Sequence, residues 1–172
     1  MTKKKSNQKT LQDKVTLDGV GLHTGKSVKL TFKPAPEDTG YVFVRTDLSP
    51  AVEIPADINY VINTDRGTNL EKDGAKIQTS EHVLAALVGM GIDNCYIELD
   101  SAESPIMDGS SKFFVEAIES VGIQEQDKLR EEYVVTDLIN FKDDETGSEI
   151  TLIPADEYQV TTMVDFETKV LG

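Results

Sequence analysis

The sequence predicts an α+β fold, in which a mainly antiparallel sheet is covered by two helices in a two-layer sandwich. Apolar and polar residues alternate from Val15 to Thr46, helical periodicity appears twice between residues 79 and 122, and strand patterns return after residue 132. Because no helical pattern follows these last strands, we expect them to open a second, similar domain that is truncated. A length of 172 residues, 38% of them hydrophobic, suits one complete domain and part of another.

The first strands are predicted from alternation within short segments. In residues 28–33, VKLTFK, every second side chain is apolar, which indicates a sheet with one face in water. Turn residues at Gly25 and at 38–40 bound this part of the sheet. Residues 52–78 add short extended pieces separated by turns, among which Asp73-Gly74 is a strong hairpin signal.

Two helices are predicted where the period of the pattern changes. Thr79 can cap the first helix, which ends at Gly89 or Gly91 and whose apolar face comprises Val83, Leu84, Leu87 and Val88. The segment 95–99 returns to alternation. The second helix begins near Ser110 and ends at Gly122, with apolar residues at Phe114, Ile118 and Val121.

Composition divides the chain into four segments. Residues 1–13 are expected to be a basic disordered tail, and residues 14–126 the complete α+β domain. Residues 127–132 lie in the charged stretch QEQDKLREE and are predicted to be a linker. Residues 133–172 are predicted to be the opening strands of the incomplete second domain, at Tyr133–Phe141, Glu149–Ile153 and Gln159–Phe166.

A short internal repeat accompanies this division. The sequence LTFKPAPED, which begins at Leu30, aligns with ITLIPADEY, which begins at Ile150. Each copy is a strand followed by Pro-Ala and an acidic turn. Duplication of a domain and coincidence between two common strand-Pro-turn segments both explain a match of this length.

Charge and composition exclude several function classes. The net charge of −14 and the isoelectric point near 4.5 make nucleic acid and anionic lipid unfavourable partners. We find neither an apolar run of membrane-spanning length nor a signal peptide, and we expect a cytoplasmic protein. The single cysteine, Cys95, lies in an alternating segment, where a buried structural thiol is expected.

Glu81-His82 is the strongest candidate for chemistry. At the first turn of a helix, the macrodipole favours an ionised Glu81 and a neutral His82. A neutral imidazole can bind a metal, and an adjacent carboxylate can accept a proton from a metal-bound water. The alternative is that Glu81 only complements the helix dipole and His82 only caps or packs, because such dipeptides are common; the His spacing of strong zinc motifs is also absent.

Two loops hold further candidates. His23 lies in GVGLHTG, a loop that approaches a ligand or simply turns a corner and that leads into a strand rather than a helix. Glu103 and Asp108 flank Pro105 in SAESPIMDGSS, where paired acids would suit acid-base work. For Asp108, which precedes Gly109, the sequence predicts a turn or helix-capping role.

Several motifs taken in order carry a resemblance to a known family. GVGLHTG, PAPEDTGYVFVRTDL, RGTNL, TSEHVLAALVGMGIDNCYIELD and PIMDGSS resemble the N-terminal domain of the UDP-3-O-acyl-N-acetylglucosamine deacetylases. These are zinc hydrolases of lipid A synthesis in Gram-negative bacteria. The resemblance implies two domains of the same fold with the active site between them. It implies Glu81 as general base, His82 as a zinc ligand and His23 as a substrate-binding residue near the site.

The same resemblance implies that part of the site lies elsewhere. The family's other two zinc ligands, a His and an Asp on a helix of the second domain, have no counterpart in this sequence. We therefore expect the chain to be inactive alone, with zinc or iron(II) completed by other ligands. The alternative is a non-catalytic binding or interaction module derived from such a domain. Truncation also predicts self-association, through the face near His82 or a strand edge within residues 133–166.

Overall fold

The computed structural model describes residues 6–164 and divides the chain into two compact units, 1–130 and 131–172. The first unit contains two helices and ten strands among its described residues. Its elements are β1 (Asn7–Leu11), β2 (Val15–Val20), β3 (Ser27–Pro34), β4 (Tyr41–Arg45), β5 (Val52–Pro55), β6 (Val61–Asn63), β7 (Asn69–Lys72), β8 (Ala75–Ile77), α1 (Glu81–Gly89), β9 (Cys95–Leu99), α2 (Lys112–Val121) and β10 (Ile123–Leu129). A 3-10 helix, Ile58–Tyr60, precedes β6.

The central sheet has five strands in the order β2-β3-β9-β4-β5. Its neighbours pair antiparallel except β4 and β9, which are parallel. The side chains predicted to alternate do so: Val28, Leu30 and Phe32 of β3 are buried, because this face of the sheet packs into the core. The α+β prediction, with a mainly antiparallel sheet and two helices, is confirmed.

The two helices share that core. Phe114 and Ile118 are buried on α2, and the ring of Phe114 meets Phe32 edge-on at 6.2 Å between centroids. Val83, Ala86 and Leu87 are buried on α1. Val88 was predicted on this face but is exposed, because the buried stripe runs through the third, sixth and seventh residues of the helix.

The start of α1 differs from the prediction. Ser80 rather than Thr79 is the N-cap residue, and neither side chain makes a capping hydrogen bond to the helix. Thr79 instead has a φ of +55°, a region that a β-branched side chain rarely adopts. Its hydroxyl points away from the helix and donates to Glu103.

The hairpin predicted at Asp73-Gly74 is confirmed. Residues Asp73 and Gly74 connect β7 and β8, with φ values of 52° and 78°. Positive φ at both central residues matches the right-handed twist of paired strands, which favours Asp-Gly at this position.

The expected tail over residues 1–13 and the linker over 127–132 need correction. Residues 1–5 lie outside the described residues, but Asn7–Leu11 forms β1 and pairs antiparallel with β10, which extends to Leu129. Thr10 is buried and donates its hydroxyl to the carbonyl of Asn94 at 2.7 Å. Because this strand buries polar side chains through hydrogen bonds, no apolar alternation marks it.

The second unit contains one hairpin in its described part, β11 (Ile139–Lys142) paired with β12 (Glu149–Leu152). Of the predicted strand Tyr133–Phe141, only the part from Ile139 onwards forms a strand. Residues 159–164 of the predicted third strand are not in a strand, and residues 165–166 lie outside the described residues. An extended segment becomes a strand only where a neighbour pairs with its backbone.

Both copies of the internal repeat are the second strand of an antiparallel hairpin. Thr31 of β3 lies opposite Thr16, and the equivalent Thr151 of β12 lies opposite Asn140. The hydroxyl oxygens of Thr16 and Thr31 are 2.8 Å apart, and Asn140 Nδ2 donates to Thr151 Oγ1 at 2.8 Å. The likeness therefore extends from sequence to strand pairing.

Candidate functional site

Glu81 and His82 open α1 beside a turn of the chain. The carboxylate of Glu81 accepts a hydrogen bond from the backbone N–H of Thr68, with 2.8 Å between Oε2 and N. Its Oε1 lies 3.9 Å from Nε2 of His82, and both side chains are about one-third exposed. The pair therefore combines a fixed carboxylate with an imidazole that faces solvent.

The backbone around this pair is anchored on two sides. Ser80 is fully buried, and its hydroxyl donates to the carbonyl oxygen of Thr68 at 2.9 Å. On the other side, the hydroxyl of Ser111 donates to the carbonyl oxygen of His82 at 3.0 Å. These bonds tie the first turn of α1 to the residue 68 turn and to the start of α2.

The turn at residues 66–68 contacts His23 as well. Nε2 of His23 lies 3.1 Å from the carbonyl oxygen of Arg66. In the same turn, a Cβ added to Gly67 would lie 3.1 Å from Oε1 of Glu81, tighter than ordinary packing. His23, which is exposed, and Glu81 are thus linked through one short segment although 58 positions separate them in sequence.

Glu103 is a buried carboxylate that the sequence marked only as one of two loop acids. It accepts hydrogen bonds from the backbone N–H groups of His23 at 2.9 Å and Thr24 at 2.8 Å, and from the hydroxyl of Thr79 at 3.3 Å. Burial alone would raise the pKa of Glu103, but these donors, together with the Thr24 hydroxyl, lower the pKa overall. Glu103 is therefore an ionised hydrogen-bond acceptor rather than a proton donor at neutral pH.

Asp108 and Cys95 have structural roles. Oδ1 of the exposed Asp108 accepts hydrogen bonds from the N–H and hydroxyl of Ser110, which hold the pKa of Asp108 below its ordinary value. This is the turn role predicted for it. Cys95 is fully buried, and burial raises the pKa of its thiol to about 12, as expected for an unreactive core cysteine.

A metal would find an incomplete set of ligands here. Residues 6–164 contain no group of three or more His, Cys, Asp or Glu side chains arranged to hold an ion. His82 offers one imidazole with Glu81 beside it, whereas catalytic zinc sites have three protein ligands. The residues described supply at most part of such a site.

The sequence is similar to a known family of proteins over nearly its whole length. Residues 8–172 match the family model described as UDP-3-O-acyl N-acetylglycosamine deacetylase. The chain belongs to this family. It is 49% identical over 170 residues to the UDP-3-O-acyl-N-acetylglucosamine deacetylase of Hahella chejuensis and 45% identical over 165 residues to that of Myxococcus xanthus. It is also 48% identical over 166 residues to the bifunctional enzyme LpxC/FabZ of Chlorobaculum tepidum.

Membership of the deacetylase family confirms the resemblance noted from the motifs. The matches cover 95–96% of this chain but only 54%, 52% and 36% of the Hahella, Myxococcus and Chlorobaculum proteins. The chain therefore spans about half the length, or less, of these relatives. Among residues 6–164, no helix is long and apolar enough to cross a membrane.

Proposed function

We propose that this chain is the N-terminal part of a zinc-dependent deacetylase that hydrolyses the N-acetyl group of UDP-3-O-acyl-N-acetylglucosamine in lipid A synthesis. The observation that carries the proposal is the partly exposed Glu81 carboxylate, held by the Thr68 N–H beside His82 at the start of α1. The names of the two single-function relatives support the substrate and the reaction. The cytoplasmic location expected from the sequence is part of the same proposal.

In this proposal Glu81 is the general base. The Thr68 N–H orients one carboxylate oxygen, and the other accepts a proton from the attacking water. That water adds to the acetyl carbonyl carbon; as the C–N bond breaks, the leaving nitrogen takes up a proton equivalent to the one that Glu81 accepted, which gives acetate and a free amine on the glucosamine. His23, which shares the residue 66–68 turn with Glu81, contacts the substrate.

His82 is the proposed metal ligand in this chain. A zinc ion held there would lower the pKa of a coordinated water and so favour its deprotonation at neutral pH. Residues 6–164 contain no complete cluster of metal ligands. The remaining ligands would therefore come from elsewhere. We therefore expect the 172-residue chain to be inactive on its own.

Acetate release from the sugar-nucleotide substrate tests the proposal. The full-length protein should turn over with zinc present, and Glu81→Gln should reduce kcat by about 100-fold or more, because the amide cannot accept the proton. Glu98→Gln is the matched control, since it makes the same change of carboxylate to amide at a partly exposed ion pair with Lys33, outside the proposed site. Robust turnover by the 172-residue chain alone, or an active Glu81→Gln enzyme, would refute the assignment.

A further inference from the structure

One buried carboxylate joins three separate segments beside the proposed site. Oε1 of Glu103 accepts from His23 N and from Thr79 Oγ1, and Oε2 accepts from Thr24 N. His23 and Thr24 precede Glu103 by 80 and 79 positions in the sequence. Thr79 lies two residues before Glu81. The side chain of Glu103 has no exposed surface.

The loop that carries His23 is shaped around this carboxylate. A Cβ added to Gly21 would lie 2.4 Å from Oε2 of Glu103 and 2.5 Å from Oγ1 of Thr24. A side chain at this position would displace the carboxylate or the Thr24 hydroxyl, so glycine allows the loop to approach the carboxylate. Gly19 plays a similar part, because its Cβ would lie 2.6 Å from Pro105.

Thr79 is held in an unusual conformation at the same place. Its φ of +55° is unfavourable for a β-branched residue and persists only where neighbouring contacts enforce it. The Thr79 hydroxyl bond to Glu103 is one such contact, and the buried Ser80 bonds to Thr68 are another. Glu103 therefore acts on the chain immediately before Glu81 and His82.

The position of Glu103 does not depend on its own side chain. The backbone N–H of Gln78 donates to Ala102 at 2.8 Å, and that of Ser104 donates to the Gln78 carbonyl at 3.1 Å. On the other side, Gly21 forms a bridge with Pro105. Because the backbone is fixed on both sides, the carboxylate is a rigid point to which the His23 loop attaches.

We propose that Glu103 is a positioning residue, which fixes His23 and the start of α1 relative to each other. It acts through His23 and Thr79 and does not contact the substrate. The catalytic consequence of this inference rests on the proposed deacetylase function, whereas the structural linkage does not.

Glu103→Gln separates the role of the charge from that of size. An amide keeps one oxygen but places an N–H where the second oxygen accepted a hydrogen bond, so one of the two loop amides faces a donor. The backbone bridges at Gln78 and Pro105 remain, and the fold should survive. Ile54→Val, which trims a fully buried side chain on β5, is the control for general destabilisation.

Amide hydrogen exchange by NMR on this chain tests the linkage. In Glu103→Gln, exchange at His23 and Thr24 should become about tenfold faster or more, while β3 and β9 amides change no more than in Ile54→Val. Thr79→Val, which removes a single hydroxyl bond, should give a smaller increase at the same two amides. Unchanged exchange at His23 and Thr24 in both variants, or an increase spread evenly over the unit, would overturn the proposal.

A double-mutant cycle in the full-length protein tests the route through His23. Glu103→Gln should lower kcat/KM by about tenfold in the wild-type background but by less than about twofold in a His23→Ala background. Equal losses in both backgrounds would show that Glu103 does not act through His23 and would overturn that route. Absence of deacetylase activity in the wild-type full-length protein would refute the proposed function, and the exchange experiment would still decide the linkage.

Discussion

The backbone N–H of Thr68 donates to Oε2 of Glu81 over 2.8 Å, so a turn 13 residues earlier in the chain orients the carboxylate at the start of α1. The carbonyl oxygen of the same Thr68 accepts from the Ser80 hydroxyl. One residue thus fixes both the helix start and the side chain that we assign to catalysis. The orientation of Glu81 is therefore set by hydrogen bonding within the first unit.

Metal affinity should distinguish this chain from the full-length protein. His82 alone offers too few ligands for tight binding, so titration of zinc into the 172-residue chain should give a dissociation constant in about the micromolar range or weaker. His82→Ala should weaken it further, and His23→Ala should have a smaller effect. A nanomolar dissociation constant for zinc in isothermal titration calorimetry of this chain would contradict the prediction that its metal site is incomplete.

Gly21→Ala should destabilise the first unit. The new methyl group would overlap the Glu103 carboxylate and the Thr24 hydroxyl, and such overpacking costs about 1–3 kcal/mol in free energy of unfolding. Gly89→Ala is the matched control, because no atom lies within 4 Å of its added Cβ and its φ is not positive. Urea denaturation measures both, and equal losses would argue against a specific clash at Gly21.

The contribution of Glu103 to stability should fall in acid. Because the folded-state pKa lies below the ordinary value of 4.5, the contribution is fully present above pH 4.5 and is lost as pH falls through the folded-state pKa. The difference in free energy of unfolding between wild type and Glu103→Gln should thus be constant near neutrality and shrink below about pH 4.5. A difference that grew with acidity would mean that folding raises, rather than lowers, this pKa.

Self-association should depend on the second unit's hairpin. Ile139, Phe141, Ile150 and Leu152 share one face of that two-stranded sheet, and all four are exposed. Phe141→Asp should therefore shift the concentration-dependent mass from light scattering towards the monomer. Tyr133→Ser, which removes an exposed aromatic outside the strands, should leave the mass unchanged. Monomeric wild type at high concentration would contradict the prediction.

Local chemistry explains which elements the sequence alone can predict. Asp73-Gly74 and the end of α2 at Gly122 were predictable because each depends on the φ of one or two residues. The segment 28–33 was predictable because its alternation has a single cause, burial of one face.

Other features depend on partners distant in sequence. β1 was missed because Gln8 and Thr10 are polar and become buried only through bonds such as that from Thr10 to Asn94. Glu103 was missed as an anchor because the His23 and Thr24 N–H groups that it binds lie 80 and 79 positions away in sequence. Of the site, the residue types Glu81, His82 and His23 were visible, whereas the turn at residues 66–68 that links Glu81 with His23 was not.

The pairing of β1 with β10 sets the order in which the first unit can form. Asn7 lies opposite Leu129 and Leu11 opposite Ile123. The first strand of this unit therefore pairs with its last strand. During synthesis, the ribosome must release more than a hundred further residues before β1 gains its partner. Until then, the backbone of β1 lacks its antiparallel partner, which makes this closure a late and sequence-distant step.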